Sequence, residues 1–113
     1  MNYHAHIYWN NAKEKALAIS LRDNLIELGC RLGSVHDRAI GPHPLPMYQA
    51  MYNSHVRPGV EEFLESAAGS LSILLHDDTG DDIKDHTAGA RWIGTPVKLD
   101  IEWLERYVEE GWH

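Results

Sequence analysis

Tyr3-His4-Ala5-His6-Ile7-Tyr8-Trp9 decides how the rest of the chain is read, because it alternates between two kinds of side chain. In an extended strand successive side chains point to opposite faces. His4, His6 and Tyr8 therefore share one side, and Ala5 and Ile7 share the other. The apolar pair suits a core and the imidazole pair suits chemistry. The first strand thus predicts a sheet with one packed face and one face carrying histidine.

Working outward, Asn10 or Asn11 can cap a helix whose Leu17, Leu21, Leu25 and Leu28 recur at helical spacing, with Gly29 placed to end it. Leu32 to His36 reads as a second strand, Gly41 to Pro46 as a turn, and Met47 to Tyr52 as a third strand. Pro58 suits the first turn of a second helix burying Val60, Phe63, Leu64 and Ala67, and Gly69 stops it. Leu71 to Leu75 is a continuous apolar run of strand length. Asp77 to Asp85 is an acidic loop, Arg91 to Gly94 a short strand, and Asp100 caps a last helix on Ile101, Leu104 and Val108.

The order β-α-β-β-α-β predicts an α+β fold, a ferredoxin-like split βαβ sandwich with an antiparallel sheet and a C-terminal extension. Both main helices would cover one face. The inner strands would be the first and third. His6 and His76 are then expected to meet on the face that the helices leave bare.

Composition bounds the function. A chain of 113 residues reads as one domain, residues 1–113, and its formal charge of -7 argues against nucleic acid or an anionic membrane as partner. Cys30 is the one cysteine, so an intramolecular disulfide and a thiolate cluster are excluded. No basic segment followed by an apolar run opens the chain and no stretch approaches a spanning length, so a cytoplasmic location is expected. A core this small makes a site at a dimer interface reasonable.

The histidines carry the chemistry. His4 and His6 are either a ligand pair or two solvated strand residues. His43 lies between Pro42 and Pro44, which either preorganise it or merely shape a turn. His76 ends the apolar strand, and His86 follows Asp85 after the acidic loop. Asp77, Asp78, Asp81, Asp82 and Asp85 either help such a site or are simply solvated. His36, His55 and His113 read as surface residues. No phosphate-binding glycine fingerprint and no Gly-x-Ser-x-Gly motif occurs.

His4-Ala5-His6-Ile7-Tyr8, Gly41-Pro42-His43-Pro44, Leu74-Leu75-His76, Thr79-Gly80-Asp81-Asp82, Asp85-His86-Thr87, Trp92-Ile93-Gly94 and Leu99-Asp100 occur in this order over nearly the whole chain. Together they resemble the DOPA 4,5-dioxygenase family of small extradiol-type ring-cleaving enzymes. The resemblance implies a homodimer that uses non-haem Fe(II) and O2 to open a catechol such as DOPA. Nitrogen donors of this kind would also retain Zn(II) on purification. Carried onto this sequence, it points to His6, His43, His76 and His86 as metal ligands, three of them sufficing. His4, His43 and His86 are the acid–base candidates, and His4, Tyr8 and Tyr48 the substrate contacts. Trp92 suits either the pocket or the core. The competing expectations are a non-catalytic module of the same fold that binds a metal or aromatic ligand, and a dimer whose histidines are structural.

Overall fold

Alternation in the first strand is realised as expected. In a computed structural model describing residues 1–109, β1 runs Asn2–Tyr8. Ala5 and Ile7 are fully buried on one face, and His6 is 3% exposed on the other. His113 lies outside the described residues.

Asn11 is the cap: its side-chain oxygen accepts from the Glu14 backbone N–H at 2.9 Å, and the Glu14 carboxylate accepts from the Asn10 N–H at 2.9 Å. This reciprocal pair satisfies two donors at the chain's entry to the helix. The expected single helix is interrupted at Leu21, giving α1 (Ala12–Ser20) and α2 (Arg22–Glu27). A local cause is visible. The Ala18 carbonyl accepts the Tyr48 hydroxyl at 2.6 Å, and the Leu21 N–H bonds back only three residues, to the same carbonyl at 3.3 Å.

The second strand is shorter than expected, with β2 confined to Arg31–Leu32. It pairs Arg31 with Met51 and Leu32 with Ala50, but contact resumes downstream at His36 and Met47, one residue out of register. The extra residue is a bulge that ends regular pairing. The third strand, β3, spans Met47–Asn53. Pro58 stands in the first turn of α3 (Arg57–Ala67). The apolar run becomes β4 (Ser72–Asp78), followed by a short α4 (Asp82–Asp85), β5 (Ala90–Ile93) and α5 (Ile101–Glu109).

The sheet order is β2-β3-β1-β4-β5, antiparallel throughout. Its first four strands have the predicted ferredoxin-like order, and β5 adds a fifth beside β4. Ala18, Leu25, Val60 and Leu64 from α1, α2 and α3, with Leu21 at the break between α1 and α2, pack on Tyr3, Ala5, Ile7, Tyr48, Ala50, Ile73 and Leu75 to form the main core. Cys30 belongs to this core, and burial raises its thiol pKa to about 11, in keeping with a structural role.

The opposite face is not bare. Tyr8, Met47 and Leu74 form a second apolar cluster with Leu45, Trp92, Val97 and Leu99. Leu104 of α5 is 3% exposed, and the Asp100 N–H donates to the Pro42 carbonyl at 2.8 Å. The C-terminal extension thus folds back over part of this face and converts a flat surface into a recess.

Candidate metal centre

Register brings the histidines together. Counting along the pairs, His4 stands opposite His76 and Met51, while His6 stands opposite Leu74 and Gln49. β1 is central, so His4 and His6 each have a strand on either side. The His6 and His76 rings are stacked at 12°, and their Nε2 atoms are 2.8 Å apart.

His43 arrives from the Gly41 to Pro46 turn. Ile40 and His43 exchange both backbone hydrogen bonds, at 3.0 and 3.1 Å, which closes a tight hairpin around Gly41 and Pro42. Gly41 has φ +57°, a left-handed conformation open to glycine, and the Trp103 ring lies 3.5 Å from where a Cβ would stand. The left-handed backbone, rather than the ring at ordinary contact distance, is what disfavours a side chain there.

His86 caps α4. Asp81 accepts from the Lys84 N–H at 3.0 Å at the helix start. Asp85 is buried and accepts from the Thr79 N–H at 2.8 Å and the Thr79 hydroxyl at 2.7 Å, which fastens the acidic segment across its own base. That segment is therefore largely scaffold. It orients His86 through the Asp82 backbone carbonyl, which accepts from Nδ1 at 2.7 Å.

The rings enclose a shared space. Centroids are 4.2 Å apart for His6 and His43, 4.3 Å for His76 and His86, and 6.2 Å for His6 and His86. His4 lies 5.0 Å from His76, with its Nε2 3.3 Å from an Asp78 carboxylate oxygen. A recess of about 290 Å³ is lined by His4, His6, Pro42, His43, Gln49, His76, Asp78, Asp82, Asp85, His86, Trp103, Leu104 and Tyr107.

Hydrogen bonding fixes several ring states. A carbonyl only accepts, so the 2.7 Å contact of His76 with the Asp77 carbonyl puts the proton on His76 Nδ1. In the neutral ring His76 Nε2 is then an acceptor, and His6 must donate to it through Nε2. His6 Nδ1 is left with a lone pair, buried and without a hydrogen-bond partner. The same reasoning at His86 leaves its Nε2 as a bare lone pair. His43 Nδ1 is 2.7 Å from the Tyr8 hydroxyl. Burial holds His6 well below the ordinary imidazole range, lowers His43 to about 3 and His76 to about 4, with the neighbouring imidazoles adding to each. His4 is lowered too, by burial, against the pull of Asp78. These groups are thus neutral near pH 7, the state in which imidazole binds a metal.

Two sets of three histidines each place their ligand atoms within 4.8 Å of one another: His4, His6 and His76, and His6, His43 and His86. Every histidine expected at the site is present in one of them. The donor set fits a divalent metal: neutral nitrogens, Nδ1 atoms tied to oxygen partners, and an orphaned buried lone pair on His6.

A sequence model of the Dopa 4,5-dioxygenase family matches residues 3–103. The chain belongs to that family. It is 33% identical over 108 residues to a DOPA 4,5-dioxygenase of Amanita muscaria, an alignment covering 88% of this chain and 47% of the relative. The chain thus spans about half the length of that relative. A crystal structure of a candidate dioxygenase from Nostoc punctiforme PCC 73102 superposes with a TM-score of 0.88 at 34% identity, covering 93% of this chain and 91% of that one.

The two tyrosines expected against substrate do not line the recess. Tyr48 pairs with Ile7, not with a histidine, so it points into the helix-covered core. Gln49, its neighbour, takes the place on the histidine face. Tyr8 is on the correct face but fully buried, below His43 and stacked on Trp92 at 6.0 Å. Trp92 thereby serves the second apolar cluster. Trp103 and Tyr107, legible in the sequence only as residues alongside the apolar stripe of the last helix, do line the recess, and their rings stack at 5.1 Å one helical turn apart. Their i, i+4 spacing was the available signal.

Proposed function

We propose that this protein is a metal-dependent extradiol-type dioxygenase that opens the ring of a catechol such as DOPA with O2, using Fe(II). The observation carrying this reading is that His6, His43, His76 and His86, from four separate segments, converge on one recess in a family of dioxygenases. His6, His43 and His86 would hold the metal. His76 would act as a positioning residue, accepting from His6 Nε2 so that His6 Nδ1 keeps its lone pair for the metal. Three protein nitrogens leave coordination positions for both catechol oxygens and O2.

When bound, Fe(II) supplies the redox chemistry that ring opening with O2 requires. The protein's own work is positioning and proton transfer. His4 stands at the rim of the same recess with Nε2 turned to Asp78 at 3.3 Å, so its Nδ1 is the nitrogen that would take the catechol proton, and Asp78 would stabilise the cation formed. Tyr8, through His43, fixes a ligand ring from beneath. Trp103 and Tyr107 offer apolar faces to an aromatic substrate, and Leu104 closes that side to water. A homodimer and a cytoplasmic location belong to the same proposal. Among the described residues no helix is long and apolar enough to cross a membrane.

Anaerobic loading with Fe(II), then addition of DOPA and O2, tests the reading. Oxygen uptake coupled to a yellow ring-opened product is expected. Tight metal binding with no uptake across a broad catechol panel would point instead to a non-catalytic binding module.

A further inference from the structure

We propose that Arg31 is a specificity-determining residue, a receptor for a carboxylate on the side chain of the substrate. The inference rests on the catechol reading above, in which DOPA carries such a carboxylate, and it assigns the residue of this chain that would receive it.

Sheet register places Arg31 on the histidine face. Leu32 packs against the main core, so its neighbour Arg31 points to the opposite side. Arg31 pairs with Met51, Met51 with His4, and His4 with His76, which makes one continuous row across four strands. Two strand spacings of about 4.8 Å separate the Arg31 backbone from that of His4, within reach of an extended arginine.

A second recess, of about 280 Å³, lies at this end of the row and is lined in part by Arg31, Asn2 and Asn53. It shares His4 and Asp78 with the histidine recess, so the two adjoin at His4. His4 and His6 centroids are 6.2 Å apart, a step comparable to a three-carbon side chain on an aromatic ring.

Charge then selects the occupant of the far end. Other basic residues near the sheet are committed: Arg57 and Arg91 to Glu61, Arg22 to the Gly33 carbonyl, and Lys15 to Asp37. Among the described residues the Arg31 guanidinium has no ion-pair or hydrogen-bond partner. Lys13, Arg38, Lys84, Lys98 and Arg106 are likewise without a side-chain ion pair among the described residues, but Arg31 alone of these lines either of the two recesses. Asn53 adds a donor, since its side-chain oxygen already accepts from the His55 and Val56 N–H groups and its amide NH2 is left to face outward. Asp78 is engaged by His4. A guanidinium fork with an amide beside it matches a carboxylate.

The test compares dihydrocaffeate with 4-ethylcatechol, which lacks the carboxylate. Binding is read without O2 by quenching of tryptophan fluorescence, because Trp103 lines the histidine recess, and oxygen uptake is read in parallel. The wild type should bind dihydrocaffeate roughly tenfold or more tightly than 4-ethylcatechol. Arg31→Met should abolish that preference without weakening 4-ethylcatechol, and Arg31→Lys should restore part of it. A wild type without preference, or a preference that survives Arg31→Met, overturns the proposal. If the Arg31-dependent preference holds but neither catechol drives oxygen uptake, the dioxygenase reading fails and the carboxylate site stands. Uptake with both catechols and no preference means the reverse.

Discussion

At the residue scale, the division of labour among imidazoles makes a distinct claim about each one. His4 is assigned proton transfer and His6, His43 and His86 metal binding. His4→Ala should therefore retain its metal while ring opening falls by about 10²-fold or more, the scale of a lost general base. Metal content and initial rate, measured on the same preparation, separate these effects; metal loss in His4→Ala would move it into the ligand set.

The pH dependence of stability follows from the same rings. Folded His43 titrates at about 3 and His76 at about 4, against about 6.5 for an exposed imidazole. Between those values the unfolded chain binds more protons, so stability rises with pH. The contribution is complete above about 6.5 and is lost as pH falls through the window. Each group then removes up to about 1.4 kcal/mol per pH unit. Chelated protein should show a falling Tm from pH 7 to pH 5, above the range where most carboxylates titrate. A flat Tm would mean that these rings are charged or solvated in the fold.

Tyr48 shows where a residue reading fails. Its aromatic character was legible in the sequence, but the strand phase was not, because phase depends on which β1 residue stands opposite. A pairing of Tyr48 with Ile7 assigns it to the core. Tyr48→Phe should cost about 1 kcal/mol through loss of the bond to the Ala18 carbonyl and leave the rate unchanged. A large rate loss with unchanged stability would return Tyr48 to the pocket.

At the element scale, the sequence was most informative where one period or one cap decides the outcome. Alternation in β1, the Asn11 cap, Pro58 in the first turn of α3 and the apolar run of β4 all took the expected form. It was least informative where distant groups intervene. The break at Leu21 goes with a hydroxyl from β3, and the early end of β2 with a bulge against that strand. Neither partner is visible locally. α5 was legible as an amphipathic helix, yet nothing in its pattern says which surface it covers.

The turn after β5 is a sharper case. Gly94 has φ +77°, and a Cβ there would stand 2.6 Å from the Leu71 carbonyl oxygen, closer than van der Waals contact permits. Gly94→Ala must therefore displace β5 from β4 or move the entry to β4. A loss on the order of 2 kcal/mol is expected, the combined effect of left-handed backbone and overpacking. Chemical denaturation measures it directly, and an unchanged midpoint would show that the turn has slack.

At the scale of the whole molecule, a sheet with helices on one face positions imidazoles from four separated segments on the other. The sequence named those histidines, and topology explains their meeting: β1 is flanked by β3 and β4, with the His43 turn and the His86 helix at its margin. That Gln49, Trp103 and Tyr107 line the recess was not legible, because their place depends on pairing and on how the extension folds back. Titration of chelated protein with Fe(II), without O2, tests this convergence most directly when wild type, His6→Ala and His86→Ala are compared. Stoichiometric binding is expected in the wild type, with affinity weakened by about 10²-fold or more in both variants, since each loses a ligand. Undiminished Fe(II) affinity in both would contradict that convergence.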